Sequence, residues 1–256
     1  MHFRRLVWSQ IFFCPDCSAE IEFLAAASDN RTAKVRETFP CPACGRTLQK
    51  HELTDAFSVR PDPLTGSSVR ALRFDPVFLA FESDKGLLSR TLKMEDRRLL
   101  SEVQKSPISS SVPITPFPFQ TMWEAVRLEA KGLTHVHHLF FDRTLRVVGS
   151  LWEALQAEPD PRLRVFLRFW IDSHFQNLSV LNRYRPEVSF PYNPMAGAYY
   201  LGSLISEESP FVAYSNKLKR IAAVLVPRRG GVESSIVSTG SSSQLPLPSN
   251  SVDYVF

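Results

Sequence analysis

Glycine is scarce in this chain. Its 256 residues hold ten glycines against nineteen prolines, which excludes collagen-like and low-complexity classes and points to many turns and interrupted helices. No apolar run approaches the roughly 18–20 residues needed to span a bilayer, so no membrane partner is expected. The opening Met1-His2-Phe3-Arg4-Arg5-Leu6-Val7-Trp8 lacks the longer apolar region and small-residue cleavage site of a signal peptide. A cytoplasmic protein is the expectation. Net charge is also small: 30 basic residues against 26 acidic ones leave +4, too mild by itself to announce nucleic acid. What remains, 44% hydrophobic and 22% charged, suits a soluble globular chain of one or two domains.

Cysteine is rare but concentrated. All four fall near the start, as Cys14-Pro15-Asp16-Cys17 and Cys41-Pro42-Ala43-Cys44. Two C-x2-C pairs at this separation have the spacing of a four-thiolate zinc site. Two intervening residues let a tight knuckle aim both sulfurs at one metal, about 2.3 Å away. Gly45 follows the second pair and can take the positive φ such knuckles often need. Leu6-Val7-Trp8 and Ile11-Phe12-Phe13 read as a strand entering the first knuckle, and Glu20-Ile21-Glu22-Phe23 alternates as a half-buried strand does. Residues 28–36 read as a turn. This is the pattern of a zinc ribbon, too small to bury its own core without metal. A disulfide pair fits a reducing compartment poorly, and a thioredoxin-like site needs one C-x-x-C opening a helix. Four thiolates leave no open position for catalysis, so the metal is expected to serve folding.

The expected fold class is α+β: an N-terminal four-cysteine zinc ribbon over residues 1–58, a connector of mixed structure over 59–118, a largely helical region over 119–205 and a further segment over 206–256. Residues 48–57 could form a short helix, and Arg60-Pro61-Asp62-Pro63-Leu64-Thr65-Gly66 is turn-rich. Residues 106–118, with four prolines and four serines, form a linker or extended surface segment. Between these stretches lie Leu87, Leu88, Leu92, Leu99, Leu100 and Val103, helical near their end. Leu145, Val148, Leu151, Trp152 and Leu155 make one apolar helix face, which Pro159 and Pro161 end. A second helix runs over 162–182 with Leu163, Phe166, Leu167, Trp170 and Phe175. A third is expected over 207–226, with Ser206 as its N-cap and Glu207-Glu208 beside it. Residues 236–238 and 252–256 read as short strands.

The charge surplus is local. Residues 178–229 carry seven basic side chains, namely Arg183, Arg185, Lys217, Lys219, Arg220, Arg228 and Arg229, against Glu187, Glu207 and Glu208. Tyr184, Phe190, Tyr192, Tyr199 and Tyr200 are interleaved with them. Cations neutralise phosphates and aromatic faces stack on unstacked bases, so Arg183, Tyr184, Arg185, Lys217, Lys219 and Arg220 are the candidate nucleic-acid contacts. The plainer reading is a solvated helix face beside buried tyrosines. Thr134-His135-Val136-His137-His138 could suggest a second metal, since His135 and His137 would share one face of a strand. With Asp142 the only acidic neighbour in sequence, a polar, packing or substrate-facing role is expected instead.

Together these segments resemble the DNA methylases of the amino-methyltransferase group, which act on adenine N6 or cytosine N4. Val7 to Cys17 with Lys34 to Gly45, Gly132 to Phe140 with Leu151-Trp152, and Leu181-Asn182-Arg183-Tyr184-Arg185 with Asn216 to Ile221 carry the resemblance. So does Ser238-Thr239-Gly240-Ser241, with Leu247 to Phe256. The resemblance implies a zinc-ribbon-containing, S-adenosylmethionine-dependent enzyme of restriction-modification type. Residues 119–205 would serve target recognition, and 206–256 would be part of a Rossmann-like methyltransferase fold. The sequence contains no Pro-Pro pair and no Gly-x-Gly, so no catalytic or cofactor residue is carried over from the family. An internal fragment, inactive alone, is therefore expected. It would contribute DNA recognition and would need a separately encoded methyltransferase half or a longer chain to use S-adenosylmethionine. The alternative is a stand-alone zinc-ribbon nucleic-acid-binding or adaptor protein.

Overall fold

The computed structural model describes residues 2–29, 34–122, 126–186, 192–193, 199–225 and 247–252. In chain order its elements are β1 (His2–Phe13), β2 (Glu20–Glu22), α1 (Phe23–Ala27), β3 (Thr38–Pro40), β4 (Thr47–Gln49), β5 (Thr54–Asp55), β6 (Phe57–Pro61), β7 (Ser68–Leu72), β8 (Phe74–Ser83) and β9 (Gly86–Thr91). They continue with α2 (Met94–Val103), α3 (Val126–Ala130), α4 (Asp142–Gln156), α5 (Pro161–Asp172), α6 (Phe175–Leu178), β10 (Arg183–Tyr184), β11 (Tyr192–Asn193), β12 (Leu204–Glu208) and α7 (Pro210–Leu225). Two compact units are present, residues 1–218 and residues 219–256.

The class is mixed α/β, built on a curled antiparallel sheet ordered β11-β10-β12-β1-β8-β9. Strand β1 is its axis. Arg5 to Ser9 pair with Glu208 to Leu204 of β12, while the other edge pairs with β8 from His2↔Glu82 to Gln10↔Phe74. Register shifts between Phe3 and Arg5 and between Val7 and Trp8 mark irregularities that bend the strand. Its last residues leave β12 and β8 for new neighbours, Ile11 to Phe13 pairing β2 and Phe12–Phe13 pairing β5. Leu6, Val7, Ser9, Gln10, Ile11 and Phe12 are all buried, as expected of a strand covered on both faces.

Helices α4 and α5 form where the apolar period predicts them. Leu155 of α4 and Ile171 of α5 share a core with Leu178, Ala213 and Tyr214, and Val148, Leu151, Trp152, Leu167 and Trp170 pack against it. Asp160 caps α5, its carboxylate accepting the amides of Arg162 and Leu163. That helix stops at Asp172 rather than running on to 182, and the short α6 follows.

Two other expectations need correction. The helix expected over 48–57 is only a 3-10 turn, Lys50–Glu52, between short strands; Glu52 turns back to accept the Gln49 amide at 2.6 Å. The helix expected over 207–226 begins at Pro210, and Ser206 is no cap, because Leu204–Glu208 forms β12 inside the sheet. Of the acidic pair that suggested a helix start, Glu207 is buried and held by partners far away in sequence, while Glu208 is half-buried. The strand expected over 236–238 lies outside the described residues, as do the last four residues of the one expected over 252–256.

One glycine is fixed by close approach. Gly132 has φ +83°, and a Cβ there would sit 1.9 Å from the Arg70 carbonyl oxygen. This contact seats the β6–β7 hairpin against the loop that carries the histidines. Gly132→Ala is expected to lose about 1–3 kcal/mol from backbone conformation alone, with the clash added; urea denaturation of the variant, read as a lowered midpoint, checks this.

Candidate metal centre

The two C-x2-C segments sit at the tips of two hairpins, β1–β2 and β3–β4. Each forms the same knuckle. The Cys14 amide donates to the Ala19 carbonyl at 2.9 Å and the Ser18 amide to the Cys14 carbonyl at 3.0 Å; the Cys41 amide donates to Arg46 at 2.8 Å and the Gly45 amide to Cys41 at 3.0 Å. The fifth position of each knuckle turns left-handed, Ser18 with φ 57° and Gly45 with φ 74°. Gly45 takes this conformation freely, whereas Ser18 does so at a cost.

The knuckles bring the four sulfurs together. Cys14 Sγ lies 3.9 Å from Cys44 Sγ, and Cys17 Sγ lies 3.8 Å from Cys41 Sγ. All four lie within 4.8 Å of one another. A tetrahedron of thiolates about 2.3 Å from a central ion has edges of about 3.8 Å, whereas a disulfide would require about 2.05 Å. The cluster can hold a metal ion. Cys14 and Cys41 are buried while Cys17 and Cys44 face outward. Around it, Phe12, Ile21, Phe23, Ala27, Phe39 and Leu48 form the ribbon's own small core. Arg46 reaches from the second knuckle to Asp16 of the first and to Glu52, tying the two hairpins outside the sulfur cluster.

The sulfurs ionise unequally. Backbone amides of Cys44 and Ala43 draw the Cys41 thiol down to about 6. The Ala19 amide also favours the Cys17 thiolate, yet burial and the neighbouring Cys14, Cys44 and Cys41 sulfurs push that thiol up to about 12. One negative charge forms readily and resists the next. A cation among them reverses that preference.

A second polar cluster was hidden in the sequence. His137 and His138 lie in a 3-10 turn, Val136–Leu139, not on a strand. Both aim Nε2 at the same oxygen, Asp62 Oδ2, at 2.9 and 3.1 Å, and all three residues are buried. His135 instead places Nδ1 2.9 Å from the Thr134 hydroxyl. Asp142, the acidic neighbour in sequence, is 3.6 Å from Arg60.

Two histidines and a carboxylate could hold a metal by residue type; the hydrogen bonds of His138 and Asp62 oppose it, while His137 Nδ1 has no partner among the described residues. His138 Nδ1 accepts the amides of Thr134 at 3.1 Å and His135 at 3.3 Å, so the neutral ring carries its proton on Nε2 and donates it to Asp62. A metal-bound histidine needs the opposite arrangement, with the second nitrogen donating. Asp62 also accepts the Leu64 and Thr65 amides on Oδ1 and the Thr65 hydroxyl on Oδ2. Its carboxylate is saturated. It works as a clamp from the β6–β7 turn to the histidine turn, in line with a polar packing role.

Electrostatics follow from that role. Burial alone would raise the Asp62 carboxyl, but the Leu64 amide, His137, the Thr65 hydroxyl and His138 outweigh it and hold it well below the usual range. Burial lowers His138, against the pull of Asp62.

A third cluster ties the sheet to α4. Glu207 of β12 accepts Trp8 Nε1 at 2.8 Å and Arg143 Nε at 3.1 Å, with Arg143 Nη2 at 2.7 Å. Burial raises its carboxyl despite Arg143 and Trp8. It borders a cavity of about 390 Å³ shared with Leu72, Phe140 and Leu201, but both its oxygens are already engaged.

The candidate nucleic-acid contacts are dispersed in role. Arg183 lies over the Tyr200 ring at 5.9 Å. Tyr184 packs edge-on to Phe78 at 5.2 Å and against the ribbon core. Arg185 and Lys217 are half-buried; Lys219 and Arg220 are exposed and belong to the unit of residues 219–256. No family model, curated protein or solved structure matches the chain.

Asp62→Asn turns one acceptor oxygen into a donor facing two N–H groups, and is expected to cost about 2–4 kcal/mol at neutral pH. The sign with pH follows from the lowered native value. The unfolded chain protonates Asp62 first, near 4, so the clamp contributes fully above about pH 4 and fades as pH falls through the lower native value. The difference in denaturation free energy between wild type and Asp62→Asn should therefore close below about pH 4.

Proposed function

We propose that the chain is a zinc-stabilised DNA-recognition module of the amino-methyltransferase kind, and that it transfers no methyl group by itself. The observation that carries the zinc part is the grouping of four cysteine sulfurs within 4.8 Å of one another on two matching knuckles. Cys14, Cys17, Cys41 and Cys44 would hold zinc, the ion best matched to four thiolates in tetrahedral geometry. Bound there, it supplies fold stability rather than a reactive site, because no ligand position stays open for water or substrate.

The methyltransferase part of the proposal rests on the segments that resemble that family, from the ribbon strand through Gly132 to Phe140 and Leu181 to Arg185. The residues present do not fit S-adenosylmethionine. There is no Gly-x-Gly turn, and Glu207, near the end of β12, is already held by Arg143 and Trp8. No step of methyl transfer is therefore assigned to these residues; a separately encoded partner or further chain would supply it. The side chains proposed to contact DNA are Arg183, Tyr184, Arg185 and Lys217 in the first unit and, separately, Lys219 and Arg220 in the second.

Metal analysis of the purified chain is expected to find one zinc per molecule, and Cys14→Ser with Cys41→Ser is expected to abolish it. Zinc absent from the wild-type protein would refute the module as described. Incubation with DNA and methyl-labelled S-adenosylmethionine is expected to leave the DNA unlabelled; incorporation of label would show that the chain is itself the enzyme.

A further inference from the structure

A cleft of about 690 Å³ opens beside the ribbon, lined by Gln10, Lys50, Asp55, Lys131 and Tyr200 among others. Lys50 comes from the 3-10 turn after the second knuckle, Lys131 from the loop after α3, and Tyr200 from the segment before β12. The fold thus brings together three side chains that lie far apart in sequence.

The lysines have no direct carboxylate partner among the described residues. Among the described residues Lys50 makes no hydrogen bond or ion pair, and its ammonium faces the Phe23 ring at 5.5 Å. Lys131 donates to the Leu201 carbonyl at 3.1 Å and lies over the Tyr200 ring at 5.8 Å. Both feel the Asp55 carboxylate, whose Oδ1 accepts Gln10 Nε2 at 2.7 Å, and no ion pair joins it to either lysine among the described residues. The cleft walls take water from both ammonium groups and lower them, and Lys50 adds repulsion at Lys131. Glu37 and His51 stand among the lining groups. An anion between the lysines would turn their repulsion into two attractions.

Tyr200 gives the ligand its second feature. Its side chain is 40% exposed and is flanked by two cations, Lys131 at 5.8 Å and Arg183 at 5.9 Å. An exposed ring beside cations offers a base a stacking face and its phosphate a counter-charge. Bases paired in a duplex cannot reach such a ring without unstacking.

We propose that this cleft binds single-stranded nucleic acid, with Lys50 and Lys131 holding a backbone phosphate and Tyr200 stacking on the adjoining base. This deepens the DNA-recognition reading and rests on it. It adds Lys50, Lys131 and Tyr200 to the contact surface and sets a preference for unpaired strands, which would suit a target base already out of the helix.

Fluorescence anisotropy with a labelled oligonucleotide, single-stranded or annealed to its complement, tests it on the zinc-loaded chain. The single strand is expected to bind more tightly than the duplex. Lys50→Gln and Lys131→Gln should each flatten the slope of log K against log salt by about 0.7. Tyr200→Ala should weaken binding roughly fivefold or more without changing that slope. Zinc content equal to wild type shows that the ribbon in each variant is intact. A wild-type chain that binds no DNA would sink the recognition reading together with the cleft. A chain that binds, but equally well in all three variants or equally to duplex, would overturn the cleft alone. Complete displacement of the oligonucleotide by millimolar inorganic phosphate, with Tyr200→Ala neutral, would also overturn it in favour of a free-phosphate site.

Discussion

One strand belongs to two structures, and everything else is arranged around that constraint. The first two thirds of β1 are held between β12 and β8, and its end is held by β2 and β5. Cys14 follows at once. The first pair of cysteines therefore extends the central strand of the sheet rather than hanging from a linker. A one-residue slip of β1 would move Leu6 and Phe12 to the wrong faces and carry the first knuckle away from the second. Leu204 of β12 packs into the ribbon core with Phe12 and Ile21, so sheet and ribbon share apolar contacts as well as backbone.

Through that shared strand, a metal ion held by the four sulfurs would contribute beyond the ribbon. A unit with so few buried residues gains little from its own core, and its thiols resist full ionisation because one charge disfavours the next. A divalent ion removes the repulsion and converts binding free energy into folding free energy. Because Ile11, Phe12 and Phe13 continue directly into strand β1, order imposed at the sulfurs is transmitted along a hydrogen-bonded ladder into the sheet. The cleft beside Lys50 would depend on the same ion, since that lysine sits on the turn following the second knuckle.

The features legible in the sequence were those written locally. Cys14, Cys17, Cys41 and Cys44 announce themselves by spacing, and the stripe from Leu145 to Leu155 announces α4 by period. The Asp62 clamp was not legible, because its partners stand 75 and 76 residues away and Asp62 looks like an ordinary turn residue, which it also is. Tyr200 was visible as one of several aromatics, but only the fold separates it from Tyr184, whose ring is committed to packing against Phe78. β12 misled for a physical reason. Ser206 followed by two glutamates satisfies the rules of a helix start, and nothing nearby reveals that Arg143 and Trp8 will donate to one of them.

Glu207 shows why such a residue persists inside a sheet. Burying a carboxylate costs several kcal/mol, and a well-packed apolar group could serve stability equally well. Its partners, however, come from two different places: Trp8 from β1 and Arg143 from α4. Trp8 also stacks on Phe141, with ring centroids 4.6 Å apart, at the residue just before α4. An apolar side chain at position 207 would fit many nearby registers, whereas a buried carboxylate is satisfied only where an indole N–H and a guanidinium converge. The same logic applies to Asp62, which accepts two imidazoles only if the β6–β7 turn and the histidine turn meet in one arrangement. In a chain with few glycines and many proline-broken segments, these acids act less as glue than as selectors among packings that apolar contacts alone would leave nearly equivalent.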